Sequence, residues 1–325
     1  MPNESVVAVT HVDGPLGSRV AARLGAQENV SVVGVDAAGL DGDELKRVLA
    51  GAEVLVHLAA ETDSPLEPAR GVLEAASDAA VERLVVVSSA LVYGAWPSNP
   101  VPLTDDAALR PNPDFLPAVA LGEVERLVGD WADAHPSATV AVLRTAVPVA
   151  EGATGWLGDM LASVRGVPVG EDDPPFQFVH LDDVASAVAV AVESRLAGAA
   201  NVAPEGWISG EDLRALSGGP RVRVPFHLGE RLTSWRWRAG ISPTPPGILP
   251  WTVHPWVVSA DRLRSQGWTA EQSNEEAFVA GHKALPWATV SPRRRQELTL
   301  GISAAAVAGA TAGAIALVRR ARRQS

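Results

Sequence analysis

The chain has 325 residues, 47% of them hydrophobic, and no cysteine; that length supports one sizeable α/β core with a smaller appendage, and the missing cysteines exclude disulfides, thiolate metal sites and cysteine nucleophiles. The net charge of −11 is uneven, because residues 291–325 hold seven arginines and one glutamate and leave −17 on the rest. An acidic head repels phosphate backbones, which argues against nucleic acid as a partner.

An apolar run at 6–10 starts the chain without the basic lead and long apolar stretch of a signal peptide, so the head is expected in the cytoplasm. Short β-branched runs at 6–10, 31–35, 54–58, 84–88 and 139–144 alternate with helical patterns at 16–24, 43–50, 67–79, 122–134 and 182–193. This alternation predicts a doubly wound parallel sheet, Rossmann-like, with helices on both faces. The first strand leads into its helix through Thr10-His11-Val12-Asp13-Gly14-Pro15-Leu16-Gly17, and Asp36 closes the second strand nineteen residues after Gly17. Glycines at such a turn let the backbone approach a pyrophosphate at the helix N-terminus, and the acid hydrogen-bonds a ribose hydroxyl. The acid also disfavours a 2′-phosphate, so NAD is expected in preference to NADP.

Beyond about residue 150 the regularity loosens, and prolines and tryptophans dominate 220–255. This predicts an irregular lobe in which Trp235, Trp237, Trp251 and Trp256 pack together, line a ligand pocket or face an interface. Glu171-Asp172-Asp173 reads as a solvated loop, and no metal is expected. Residues 298–318 are uncharged and lie between two arginine clusters, which predicts a membrane-spanning helix and a membrane-associated protein. Gly309 and Gly313 within it offer a close-packing pair for a homodimer. The expected organisation is a dinucleotide-binding core at 1–150, the rest of the core with a substrate lobe at 151–290, and the membrane helix at 291–325.

In order along residues 6–205 stand Thr10, Gly14 and Gly17, then His57-Leu58-Ala59-Ala60, then Ser88-Ser89-Ala90-Leu91-Val92-Tyr93-Gly94, then Leu143-Arg144, and then Phe178-Val179-His180-Leu181-Asp182-Asp183-Val184. This ordered set resembles the extended short-chain dehydrogenase/reductases, in the NAD-dependent epimerase/dehydratase family. The resemblance implies an NAD site at Thr10, Gly14, Gly17, Asp36, Leu58, Ala59, Ala60 and Ser88, and a lobe that contacts a nucleotide-sugar or similar ligand.

It also implies a catalytic Tyr-x-x-x-Lys pair, and here the chain departs. Its one tyrosine is Tyr93 and its two lysines are Lys46 and Lys283. The family's alignment puts Pro117 at the tyrosine position and Leu121 at the lysine position, neither of which moves a proton; Ser89 matches the third catalytic residue but has no partner base and reads as vestigial. His11 replaces the first glycine of the turn, at a cost of roughly 1–2 kcal/mol for a left-handed residue with a Cβ. Too few residues separate Asp36 from Val54 for the extra strand usual there. The expectation is a membrane-anchored, catalytically degenerate protein that binds a dinucleotide or nucleotide-sugar-like ligand as sensor or scaffold. Its alternatives are an active oxidoreductase or epimerase with acid/base groups relocated to His57 or His180, and a pure interaction protein on a Rossmann-like fold.

Overall fold

Each of the five β-branched runs is a strand in the computed structural model, which describes residues 5–35, 42–152, 155–165, 174–217, 225–242 and 244–281. The strands are β1 Ser5–Thr10, β2 Val30–Val35, β3 Val54–His57, β4 Arg83–Ser89, β5 Thr139–Thr145, β6 Val147–Val149, β7 Phe178–His180 and β8 Gly198–Val202. The helices are α1 Pro15–Gly25, α2 Gly42–Leu49, α3 Leu66–Asp78, α4 Leu116–Ala134, α5 Gly155–Arg165, α6 Leu181–Glu193, α7 Gly210–Ser217, α8 Phe226–Arg238, α9 Pro250–Val253, α10 Asp261–Ser265 and α11 Asn274–Gly281.

Six strands form one parallel sheet in the order β2-β1-β3-β4-β5-β8, and β6 pairs with β7 separately. Val and Leu dominate β3 and β4 because both faces of these central strands are covered. Helix α1 packs on α6 at one face, while α2 packs on α3 and α3 on α4. Strand β2 pairs only with β1 among the described residues, so the strand that the short 36–54 connection left no room for is missing from this edge. The chain winds outward from β1 to β2 and then crosses back to β3, which places the switch in direction between the carboxyl ends of β1 and β3. In a sheet of this kind that is where a crevice opens.

A buried polar network ties α4 to the sheet. Arg144 on β5 holds Glu125 on α4 through three hydrogen bonds, Nη2 at 2.8 Å and Nε at 3.0 Å from Oε2 and Nε at 3.3 Å from Oε1, and Ser88 on β4 donates to Glu125 Oε1 at 2.7 Å. Arg144 Nη1 also reaches the Tyr93 hydroxyl at 2.8 Å and the Asp105 carbonyl at 2.9 Å. Tyr93 in turn donates to Asn201 Oδ1 at 2.8 Å on β8. Burial pulls the Arg144 guanidinium down, but Glu125 and Tyr93 outweigh it and keep the group above its ordinary range.

The C-terminal lobe is more regular than its proline content suggests. Leu103 bridges to Val258 and Phe176 to Ile208, and Asp183 on α6 accepts the backbone N–H groups of Glu271 at 2.7 Å and Gln272 at 3.2 Å. Trp251 and Trp256 are buried, whereas Trp235 and Trp237 on α8 are 59% and 45% exposed. The packing expectation therefore holds for one pair of tryptophans and not for the other.

The expected transmembrane helix requires correction. Among the described residues no helix is long and apolar enough to cross a membrane, so the fold is a Rossmann-like α/β sheet with a C-terminal lobe. Residues 298–318, with the Gly309 and Gly313 pair, lie outside the described residues, as does the acidic run at 171–173.

Removal of one partner from the buried pair leaves a desolvated charge. Glu125→Ala is expected to lower unfolding free energy by about 3–5 kcal/mol, read from the urea midpoint at constant slope. Glu125→Gln, which keeps an acceptor for Ser88 or Arg144, is expected to lose less.

Candidate functional site at the switch point

The turn after β1 keeps its left-handed geometry without its first glycine. His11 sits at φ +53°, its N–H bonded to the Val35 carbonyl at 3.1 Å and its carbonyl accepting Gly14 N–H at 2.9 Å. The strain expected of a residue with a Cβ is thus retained, not relieved. Gly17 is required here, because a Cβ would fall 2.0 Å from the His11 carbonyl oxygen; at Gly14 it would lie 3.0 Å from Glu61 Oε2 and 3.1 Å from the same carbonyl.

Across the switch point, Thr10 Oγ1 accepts the Leu58 N–H at 2.9 Å and lies 3.1 Å from His57 Nδ1. One hydroxyl therefore clamps the ends of β1 and β3 together. Ala59 and Ala60 follow on a 3-10 turn, Ala59–Glu61. Of the expected cofactor residues, Thr10, Gly14, Gly17, Leu58, Ala59 and Ala60 converge on this crevice. Asp36 lies outside the described residues, and the Ser88 side chain is turned away into the Glu125 network.

A cavity of about 110 Å³ occupies the strand ends, with Pro15, Glu61, Ser89, Trp156 and Leu181 in its walls. Trp156 donates its indole N–H to the Ala60 carbonyl at 2.8 Å, bridging the crevice, and lies 6.4 Å from the Phe115 ring. Ligand pockets commonly measure about 300–1,000 Å³, so this crevice is narrow as it stands. A larger hollow of about 800 Å³ runs along α4 beside Val140 and Val142. It lies on the face of β5, away from the strand ends and the glycine turn, and is not the cofactor site.

The candidates for acid/base work are mostly spoken for. Tyr93 is fully buried and its hydroxyl both donates and accepts; burial, the largest influence, raises it above its ordinary value. Pro117 is in the first turn of α4, and Leu121, one turn before Glu125, is completely buried. His57 is buried, and desolvation, with help from His11, holds it down at about 3, so it stays neutral near pH 7. His180 serves as N-cap of α6, its Nδ1 accepting the Asp182 N–H at 3.3 Å. Asp182 pairs with Arg19 of α1 at 2.8 Å. Ser89 Oγ accepts the Leu91 N–H at 3.3 Å and reaches only the Thr145 carbonyl, at 3.5 Å.

Two wall residues escaped the motif reading. Glu61 directly follows His57-Leu58-Ala59-Ala60, and its carboxyl is raised above the ordinary glutamate value by burial, against the opposing pull of Leu16 N–H and Arg19. Position within the motif is the signal that marks it. Trp156 comes from α5, far away in sequence, and no local pattern indicates it.

The pH dependence follows from His57. Its folded value of about 3 is depressed from 6.5, so the unfolded chain binds the extra proton and stability is lost as pH falls below 6.5 toward 3. The expected slope is up to about tenfold in the folding equilibrium per pH unit. His57→Gln should flatten that part of the profile in denaturant titrations.

Comparison with known proteins agrees with this geometry. A family model described as NAD(P)H-binding matches residues 12–137. The chain is 32% identical over 178 residues to a 3-diazoavenalumate denitrifying reductase from a Streptomyces species, covering 50% of this chain and 56% of that protein, so it spans little more than half of the relative's length. UDP-glucose 4-epimerase of Thermus thermophilus, solved with NAD, superposes with a TM-score of 0.61 at 18% identity over 85% of this chain and 97% of that one. dTDP-glucose 4,6-dehydratase of Bacillus anthracis, also solved with NAD, gives 0.61 at 15% identity over 85% and 95%. Residues 12–137 match the NAD(P)H-binding family model, and the chain shares its fold with the NAD-bound epimerase and dehydratase structures.

Proposed function

We propose that the protein is an NAD-dependent reductase without a proton relay, confined to acceptors that take up hydride without a proton from the protein. The observation that carries this reading is that the glycine turn and Ser89 are present at the crevice, while on α4 Pro117 and a buried Leu121 stand where the group's tyrosine and lysine are expected. The glycine turn fits a dinucleotide, since a Cβ at Gly17 would overlap the backbone that shapes it. Thr10, Gly14, Gly17, Leu58, Ala59 and Ala60 would hold the cofactor, with Asp36 favouring NAD.

A bound reduced dinucleotide supplies hydride. The chain's own part is to orient and to exclude water. Trp156, tied to the Ala60 carbonyl, forms part of the crevice wall. Ser89 offers one hydroxyl for orientation, and its hydrogen-bond partners among the described residues, the Leu91 N–H and the Thr145 carbonyl, take no proton. Ketone reduction and sugar epimerisation both need a proton moved at oxygen, which Pro117 and Leu121 cannot do, and Glu61, the titratable carboxyl in the crevice wall, is directed to the Leu16 N–H at the head of α1. Reduction of a diazonium cation needs no such proton: hydride adds, dinitrogen leaves and no proton is consumed. The 32% identical relative is by name a denitrifying reductase of a diazo compound, which supports the same class of acceptor here.

The narrowness of the crevice favours a second reading, in which the chain binds NAD or a nucleotide-sugar-like ligand as a sensor without turnover.

The test is loss of reduced-nicotinamide absorbance with an aryl diazonium acceptor, compared with UDP-glucose and simple ketones. Turnover is expected only with the diazonium, within about threefold in Ser89→Ala, and reduced to the uncatalysed background in Gly17→Ala. Turnover of ketones, or loss of diazonium reduction in Ser89→Ala, would overturn the proposal. NAD binding without turnover of any acceptor would favour the sensor.

A further inference from the structure

Helix α1 meets the crevice with Pro15 as its first residue. A helix N-terminus attracts anions through its unpaired N–H groups, and proline has none to give. The next donor, Leu16 N–H, is directed to Glu61 Oε2, 3.5 Å away. That same oxygen lies 3.0 Å from where a Cβ would stand on Gly14, the glycine whose bare backbone permits a pyrophosphate to come close. Glu61 therefore stands where the diphosphate of a dinucleotide would be received. It arrives there because the 3-10 turn after β3 lies beside the β1 turn across the switch point.

We propose that Glu61 gates the cofactor: its carboxylate occupies the diphosphate position at the start of α1 and must lose its charge or swing aside before a dinucleotide seats. This rests on the dinucleotide-binding reading of residues 12–137. The physical reason is that two anions cannot share one partial positive charge in a partly desolvated crevice, where their repulsion is only weakly screened.

The surroundings do not neutralise Glu61. Arg19, from α1, is the cation that attracts it, but the Arg19 guanidinium is held 2.8 Å from Asp182 of α6. The β1 turn brings His11 and the end of β3 brings His57, which is neutral near pH 7. From β4, β5, α5 and α6 the cavity wall receives Ser89, Thr145, Trp156, Leu157 and Leu181, all uncharged. Burial, the largest influence, already holds the carboxyl above its ordinary range, and a diphosphate placed beside it would raise it further.

The sign of the pH dependence follows. A protonated Glu61 does not repel the diphosphate, so affinity for NAD is greatest below the value of the free protein. It falls by up to about tenfold per unit as pH rises through that value, and levels off above the value in the complex.

Calorimetric titration of the full chain across this range, with NAD, ADP-ribose and adenosine, tests the gate. In Glu61→Gln, NAD and ADP-ribose are expected to bind about tenfold more tightly at neutral pH and without the fall, while adenosine, which lacks the diphosphate, is unchanged. Identical NAD affinities and pH profiles in the two proteins would overturn the gate and leave the dinucleotide reading standing. A gain that extends equally to adenosine would also overturn it, since the effect would then not concern the diphosphate. A Glu61→Gln protein that keeps its circular dichroism yet binds no NAD at any pH would overturn both readings.

Discussion

The Arg144–Glu125 pair is the constraint on which the rest of this fold depends. Desolvating two charges costs several kcal/mol per ion, on the order of what a buried pair returns, so the pair persists only if every remaining donor and acceptor is satisfied. Ser88, Tyr93, Asn201 and the Asp105 carbonyl supply those partners. The result fixes α4 against β4 and β5 and fixes β8 at the sheet edge. It also consumes the chain's one tyrosine. A phenol that donates to Asn201 while it accepts from a guanidinium is a structural strut, and its distance in sequence from either lysine ceases to matter.

The same helix places Pro117 and Leu121 relative to the crevice. Leu121, Glu125 and Val128 recur at helical spacing on the buried face of α4, so the residue one turn ahead of Glu125 is committed to the core. A lysine there would need its ammonium satisfied against the sheet; leucine needs nothing. Leu121 thus serves the packed interface between α4 and the sheet.

Much of the fold was legible because β-branched runs and 3.6-residue periodicity dominate the first two thirds. The five predicted strands and five predicted helices all appear, most within a residue or two of their expected ends. Helix α4 begins at Leu116, six residues before its expected start, because Pro117 reads as a break although a first-turn proline costs no helical hydrogen bond. Strand β8, Gly-Ala-Ala-Asn-Val, was missed since small residues carry little strand signal, and its place is set by pairing with β5. Helix α8 was hidden by the prolines around it. At the site, the glycine turn, Thr10 and the 57–60 run were legible from local chemistry. The engagement of the Ser88 side chain was not legible, because the partner that accepts from its hydroxyl, Glu125, is 37 positions away. Trp156 is equally a product of tertiary structure.

The switch point itself explains why charge matters so much at this site. Topology places the turn after β1 and the turn after β3 side by side, so Glu61, the last residue of the second turn, reaches the helix that the first turn begins. With a proline at the head of that helix, fewer backbone donors remain to hold an anion, and the chain's own carboxylate takes the Leu16 N–H that is left. His11 adds strain at the same bend. The glycine turn is preserved where a Cβ would collide with backbone, yet its electrostatics have been altered around it. Shape and charge at a dinucleotide turn are therefore separable properties, the first set by Gly17 against the His11 carbonyl and the second by which residue the neighbouring strand delivers.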